Sequence, residues 1–226
     1  MADFDNSLFD EYILGLSTNS KEVGPGFIFI AINGSKFDGN SFIGEALANG
    51  AICVISDSKD IEQSKKIIKV EDARESLGKI SANFYNNPQD KIKIIGVTGT
   101  NGKTSTTLIL KSILESHGKK VLQIGTLGII PNIANEDFGL TTPDSVNIFK
   151  VLSLAVEEKY DFAILEVSSH ALSEKRIDNL RFDFAGFTNL SLDHLDYHGT
   201  IDNYFNEKKK LFGLVKDSGS SLILSD

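Results

Sequence analysis

The sequence predicts an α/β protein in two parts: a small N-terminal α/β domain over residues 1–88, then a second domain over 89–226 with a mostly parallel sheet and flanking helices. Three observations predict it. Short apolar runs rich in β-branched residues alternate with helix-length periodic segments, which is the pattern of parallel strands joined by crossover helices. A polar, proline-bearing stretch, Tyr85-Asn86-Asn87-Pro88-Gln89-Asp90, interrupts the alternation and reads as a boundary. Directly after it an apolar run leads into the glycine-rich turn Gly99-Thr100-Asn101-Gly102.

In the first part, Gly26–Ile32 reads as a short buried strand and Asn33–Gly39 as a turn-rich loop. Phe42, Ala46 and Leu47 share one helical face, Gly50 suits the position after the last turn, and Ala51–Ser56 continues as a strand whose only cysteine, Cys53, is expected to be buried. Asp72 is placed to cap a helix running to about Tyr85. In the second part, Ile92–Val97 reads as a strand and Thr104–Ser116 as a helix ended at Gly118. Val121–Gly125, Phe162–Val167, Phe184–Leu190 and Ser221–Ser225 are further strands, with helices at about 144–159 and 201–215 between some of them. The chain stops one residue after the last strand, so the second domain is expected to be incomplete.

Composition narrows the function classes. Of 226 residues, 41% are apolar and 24% charged, which sets aside global disorder, collagen and coiled coil. Lysine and arginine number 23 against 31 aspartates and glutamates, a net charge of −8. That balance argues against nucleic-acid or membrane partners, so an anionic ligand must be held locally. A lone cysteine makes no internal disulfide and fits a reducing cytoplasm. The start, MADFDNSLFDEY, is acidic where a signal peptide would be basic and then apolar, and no apolar run approaches the roughly 18–20 residues of a membrane span.

Gly99-Thr100-Asn101-Gly102-Lys103-Thr104 lies between a strand and a helix, where backbone N–H groups and the helix N-terminus can surround phosphate oxygens. Lys103 would reach the β- and γ-phosphates and Thr104 would ligate magnesium. Val97 stands where the usual first glycine would be, so the loop is a variant of the phosphate-binding pattern. Downstream, three of four histidines fall within Glu166–Gly199. Glu166, near the end of a strand, suits either a magnesium ligand or a helix cap or ion-pair partner, and His194 either a site residue or a turn or core polar group. Lys208, within Lys208-Lys209-Lys210, reads on charge pattern as part of a solvated helix face. Zinc lacks its cysteine pairs and its HExxH spacing. Residue chemistry alone stops at a magnesium-nucleotide enzyme.

GVTGTNGKTSTT, TTPD at 141–144, EVSSHAL at 166–172 with Arg176, FTNLSLDHLDYHG at 187–199 and Lys208 three residues before Leu211-Phe212 together resemble the Mur ligase family. TNSKEVGPGFIFIAINGSKFDG at 18–39 is similar to that family's uridine-nucleotide-binding first domain. The resemblance implies an ATP-dependent, amide-forming ligase of peptidoglycan precursor synthesis that adds the third amino acid to UDP-N-acetylmuramoyl-L-alanyl-D-glutamate through an acyl phosphate. It implies ATP binding by Thr98, Gly99, Thr100, Asn101, Gly102, Lys103 and Thr104, with Lys103 catalytic. One magnesium falls to Thr104 and Glu166, and a second to Glu166, His194 and Lys208, the lysine carrying a CO₂-derived carbamate. Thr18, Ser20, Ser35, Lys36 and Phe37 would lie near the uridine diphosphate, and Thr141, Thr142, Ser168 and Arg176 along the muramoyl-dipeptide path. Glu174 and Leu140 depart from residues common in the family, glutamine and asparagine, and are not carried over. The implied protein is a cytoplasmic monomer, and the family's C-terminal domain, which binds the incoming amino acid, is absent, so the chain by itself is expected to lack turnover. Two other readings stay open: a generic P-loop kinase or NTPase, which leaves EVSSHAL and DHLDYHG without purpose, and a sugar-nucleotide-binding module without chemistry.

Overall fold

The computed structural model describes residues 12–34 and 37–223. They fall into two compact units that divide between Leu77 and Gly78.

In the first unit, β1 (Gly15–Ser17), β2 (Phe27–Ala31), β3 (Cys53–Ser56) and β4 (Ile67–Lys69) form a parallel sheet in sequence order, with α1 (Ile43–Ala48) between β2 and β3. The expected strands are present in shortened form, and β1 and β4 are three-residue additions too short to register as periodicity. Phe29, Ala31 and Val54 pack with Ile43 and Ala46 of the helix. Gly50, at φ +105°, ends α1 as anticipated, and the Ala51 amide returns to the Ala46 carbonyl at 3.0 Å. Cys53 is buried, and burial pushes its thiol up to about 11, so it packs as a small apolar residue. α2 (Ala73–Phe84) begins where Asp72 Oδ1 accepts the Glu75 amide at 2.9 Å.

The second unit runs β5 (Lys93–Thr98), α3 (Lys103–Ser116), β6 (Val121–Gly125), β7 (Gly128–Ile130), α4 (Ser145–Glu157), β8 (Phe162–Glu166), α5 (Ser169–Ser173), β9 (Phe182–Phe187), α6 (Leu195–His198), α7 (Ile201–Gly213) and β10 (Val215–Ile223). Its sheet has the order β10-β9-β5-β8-β6-β7, parallel throughout except for the β6–β7 hairpin. The inner strands β5, β6 and β8 read as continuous apolar runs because both faces are covered. Ile94, Leu122, Ile124, Ala163 and Leu165 join Ile148, Phe149 and Leu152 of α4 in one core. Their neighbours Ile95, Val121 and Ile164 point the other way, against Leu110 and Leu114 of α3. No helix among the described residues is long and apolar enough to cross a membrane.

Three sequence expectations shift. The strand expected at Phe184–Leu190 is β9, two residues earlier, because Phe182 enters the core while Thr188 and Asn189 leave the sheet to bond the phosphate loop. The last helix stops at Gly213 rather than 215, and the strand expected at Ser221–Ser225 starts at Val215, with residues 224 and 225 outside the described ones. That strand pairs only with β9 and lies at the sheet edge, so its Lys-Asp-Ser-Gly-Ser-Ser stretch stays polar and carries no alternation.

Core and cap contributions separate experimentally. Leu152→Ala, at a position with 0% exposure, is expected to lower the unfolding free energy by about 2–5 kcal/mol. Asp144→Ala is expected to cost about 1 kcal/mol, since Asp144 Oδ1 accepts the Asn147 amide at the start of α4. Urea denaturation followed by circular dichroism checks both, and equal losses would contradict this ranking.

Candidate active site

Open α/β sheets hold ligands beyond the carboxyl ends of their strands. In the second unit the loops after β5, β6, β8 and β9 meet there around a cavity of about 590 Å³. Thr100, Asn101, Gly102, Lys103 and Thr104 line one side, and Glu166, Thr141, Thr142, Ser168, Arg176 and His194 the rest.

The phosphate loop is held by the segment after β9. The Thr100 amide donates to the Asn189 carbonyl at 2.9 Å and the Asn101 amide to Asn189 Oδ1 at 3.0 Å. Thr188 Oγ1 and Asn189 Nδ2 donate to the Asn101 carbonyl at 2.6 and 3.1 Å. Gly99, at φ +145°, must be glycine for a second reason: a Cβ there would collide with Thr188 Oγ1. Thr98 is buried with its hydroxyl on the Val167 carbonyl at 2.9 Å, so it ties strands together and does not face the cavity. Gly102 leads into α3 at φ +82° with no side-chain cap, leaving the first amides of that helix for a ligand. Lys103 Nζ folds over the loop onto the Gly99 and Thr100 carbonyls at 2.9 and 3.0 Å. Burial lowers its pKa from the usual lysine value, opposed by the negative charges of Glu166 and Asp193.

Glu166, the last residue of β8, is 0% exposed. Its Oε2 accepts the Thr104 hydroxyl at 2.8 Å and the Thr126 hydroxyl at 3.1 Å, and Oε1 accepts the Thr126 amide at 3.2 Å. The chemistry of this pair, one hydroxyl and one carboxylate oxygen beside a phosphate loop, fits magnesium, which takes few protein ligands and completes its shell with phosphate and water. Among the described residues no three His, Cys, Asp or Glu side chains converge on a point, so an all-protein cage is not what is built here.

Across the cavity, Arg176 Nε and Nη2 donate to Glu174 Oε2 at 3.0 and 2.7 Å, and Nη1 to the Thr142 carbonyl at 2.8 Å. The carboxylate at 174 therefore orients the guanidinium, and Leu140 stands on the cavity wall. The Thr142 hydroxyl donates to the Glu166 carbonyl at 2.8 Å, and Ser168 Oγ accepts the Ala171 amide at 3.1 Å as the cap of α5. Both also shape the local backbone.

His194 sits in left-handed conformation at φ +50°, half-exposed, with Nε2 3.5 Å from Asp193 Oδ2. Its ring lies 5.0 Å from that of His170, a cavity residue the sequence reading passed over. Burial and the neighbouring His194 lower the His170 pKa. Thr126, Ser105 and His170 all line the cavity unanticipated, although His170 lies two residues after Ser168 in a motif already singled out.

Lys208 departs most from the solvated helix face that charge pattern predicts. It is 1% exposed, lies behind the loop outside the cavity lining, and donates to the Gly99 carbonyl at 2.8 Å, with Nζ 4.4 Å from the Tyr204 ring centre. Burial first, and Lys103 second, pull its pKa down to about 7. The second metal set expected from Glu166, His194 and Lys208 is thus brought together only in part. Of the first-unit residues, Thr18 is half-buried, Ser20 donates its hydroxyl to Glu45 Oε2, and Phe37 is 72% exposed. Ser35 and Lys36 lie outside the described residues.

Residues 97–226 match the Mur ligase middle domain and residues 12–85 the Mur ligase family catalytic domain. The UDP-N-acetylmuramoyl-L-alanyl-D-glutamate--2,6-diaminopimelate ligase of Caldanaerobacter subterraneus is 44% identical over 209 residues, 90% of this chain and 42% of that protein. The ligase of the same name from Aquifex aeolicus is 41% identical over 208 residues, 92% of this chain and 43% of that protein. A solved structure of a UDP-N-acetylmuramoyl-L-alanyl-D-glutamate--2,6-diaminopimelate ligase superposes with a TM-score of 0.76 at 30% identity, covering 94% of this chain and 43% of that one. MurF ligase from Thermotoga maritima, in complex with ADP, gives 0.62 at 26% identity, covering 96% of this chain and 47% of that one. The chain therefore spans less than half the length of these relatives. With the middle-domain match covering more than half of its residues and the phosphate loop, Glu166 and Arg176 on one cavity, the chain belongs to the Mur ligase family.

Proposed function

We propose that this chain forms the nucleotide- and acyl-substrate-binding part of an ATP-dependent ligase that extends UDP-N-acetylmuramoyl-L-alanyl-D-glutamate by one amino acid through an acyl phosphate, in peptidoglycan precursor synthesis. The observation that carries the reading is the single cavity on which Lys103, Thr104, Glu166 and Arg176 meet. The names of the relatives point to 2,6-diaminopimelate as the incoming amino acid. The full-length protein is taken to work as a cytoplasmic monomer without nucleic-acid or membrane partners.

Transfer of the γ-phosphoryl group to a carboxylate brings two anions together, so positioning and charge neutralisation supply most of the catalysis. The free amides at the start of α3 and the Lys103 ammonium hold the β- and γ-phosphates and neutralise charge that builds between donor and acceptor. Arg176 offers a planar fork to an anionic group of the acyl substrate, held rigid by Glu174 and the Thr142 carbonyl. Thr104 and Glu166 would hold magnesium, which would supply Lewis-acid polarisation of the phosphoryl oxygens. The uridine diphosphate part falls to the first unit, near Thr18, Ser20, Ser35, Lys36 and Phe37.

For Lys208 the reading includes a carbamate. A lysine pulled down to about 7 is about half unprotonated at neutral pH, and the lone pair of the neutral amine can attack CO₂ and release one N–H proton to water. The product is a carboxylate-like group suited to sharing a second magnesium with Glu166 and His194, once turned away from Gly99.

Calorimetric titration with magnesium-ATP is expected to show binding that Lys103→Ala weakens about 10–100-fold through loss of charge-assisted hydrogen bonds; unchanged affinity would remove Lys103 from the phosphate site. Titration with UDP-N-acetylmuramoyl-L-alanyl-D-glutamate should show Arg176→Ala weakened about 10–100-fold and Arg176→Lys not restored, while binding of UDP-N-acetylglucosamine is unaffected. Equal losses for both ligands would place Arg176 elsewhere. For Lys208 the sign follows from its lowered value. The folded state takes up this proton only near pH 7 and the unfolded state already near 10.5, so stability falls as pH drops from about 10 to 7 and the loss is complete below 7. NMR with labelled bicarbonate should show a carbamate signal at pH 8, none at pH 6, and none in Lys208→Met, in which that part of the pH-dependent stability also disappears. A signal unchanged in Lys208→Met would place the adduct on another amine.

A further inference from the structure

We infer that Thr126 is a positioning residue of this cavity: its one hydroxyl proton holds Glu166 for the cation side, and this turns Thr141 into a hydrogen-bond acceptor facing the acyl substrate. The inference rests on the magnesium-nucleotide reading above and deepens it.

Thr126 and Leu127 form the tight turn between β6 and β7, where Gly125 pairs with Gly128 at φ +83°. The strand end is shaped around the carboxylate, because a Cβ at Gly125 would run into Glu166 Oε1 and its carboxyl carbon. Thr126 then grips both oxygens, with its amide 3.2 Å from Oε1 and its hydroxyl 3.1 Å from Oε2. Thr104 donates to the same Oε2 at 2.8 Å. If Thr104 turns its oxygen to a cation, Thr126 remains to fix the carboxylate.

The proton count sets the direction of the next contact. A hydroxyl has one proton and two lone pairs, and a carboxylate only accepts. The Thr126 proton goes to Glu166, so the 3.1 Å contact between the Thr126 and Thr141 hydroxyls is donated by Thr141. What Thr141 has left for the cavity it lines is lone pairs. It therefore suits an N–H or O–H of the acyl substrate and disfavours a phosphate or carboxylate oxygen. Thr104, Glu166, Thr126 and Thr141 form one hydrogen-bonded chain from the phosphate side of the cavity to the substrate side.

Calorimetry of ADP binding to the 226-residue chain, with magnesium and with EDTA, tests the first half. Thr126→Val and Thr126→Ala are expected to weaken magnesium-dependent ADP binding about ten-fold, to leave metal-free binding within about two-fold, and Thr126→Ser to restore the magnesium effect. An undiminished magnesium effect in a folded Val or Ala variant overturns the inference. Val and Ala test the same hydroxyl with different shapes at an exposed turn, so loss of folding in one leaves the other to decide. A wild-type chain that binds ADP with no magnesium effect overturns the functional reading itself, and this inference with it. The second half is read from a double-mutant cycle of Thr126→Val and Thr141→Val on binding of UDP-N-acetylmuramoyl-L-alanyl-D-glutamate: non-additive losses are expected, and strict additivity overturns the acceptor role of Thr141.

Discussion

A buried carboxylate has to be supplied with hydrogen bonds by the protein, and at Glu166 that requirement organises the site. Its oxygens draw in Thr104 from the start of α3 and Thr126 from the turn after β6, and the Thr142 hydroxyl takes the carbonyl of the same residue. Gly125 leaves the room the carboxylate needs. β8 lies between β5 and β6 in the sheet, so its last residue stands beside the phosphate loop on one side and the β6–β7 turn on the other. Strand order, rather than sequence proximity, makes these loops neighbours.

The phosphate loop shows the complementary constraint. A cradle of N–H groups is useful only if its dipoles are already aligned, since reorienting them during reaction would cost what binding gains. Thr188, Asn189 and Ser191 do that aligning through both peptide and side-chain contacts to Thr100 and Asn101. The Tyr204 hydroxyl reaches Thr100 Oγ1 at 3.3 Å from α7, so the helix carrying Lys208 is joined to the same loop.

How far the sequence could be read follows from which signals are local. β5, the loop and α3 were legible because a continuous apolar, β-branched run gives way to a helical period across a few glycines, all within one short segment. The first part of β10, residues 215–220, was hidden because an edge strand needs backbone pairing and little apolar surface. Thr126 was hidden for another reason: a buried carboxylate announces that donors exist but not which ones, and its donors come from strands that become neighbours only in the sheet. Lys208 shows a signal present but overruled. Tyr204, Lys208 and Leu211 recur at helical spacing and are all buried, so the lysine falls on the inward stripe of α7 and its two lysine neighbours do not. The run of three lysines drew attention to charge, where periodicity held the information.

That inward lysine is hard to account for by packing. An apolar side chain of similar length would fill the space without a buried amine and without a second nitrogen on the Gly99 carbonyl, which Lys103 Nζ already contacts at 2.9 Å. Burial and the nearby Lys103 both act against the charged form, and Asp193 is the one opposing influence. A site that disfavours an ammonium on two counts favours the neutral amine, the nucleophilic form of lysine. The amine also bears on the loop: while Nζ is on Gly99 it braces the phosphate cradle from behind. A carbonyl oxygen accepts from an N–H and repels a carboxylate, so any negative group added at Nζ would have its oxygens turned away from Gly99 and towards the open side of the loop.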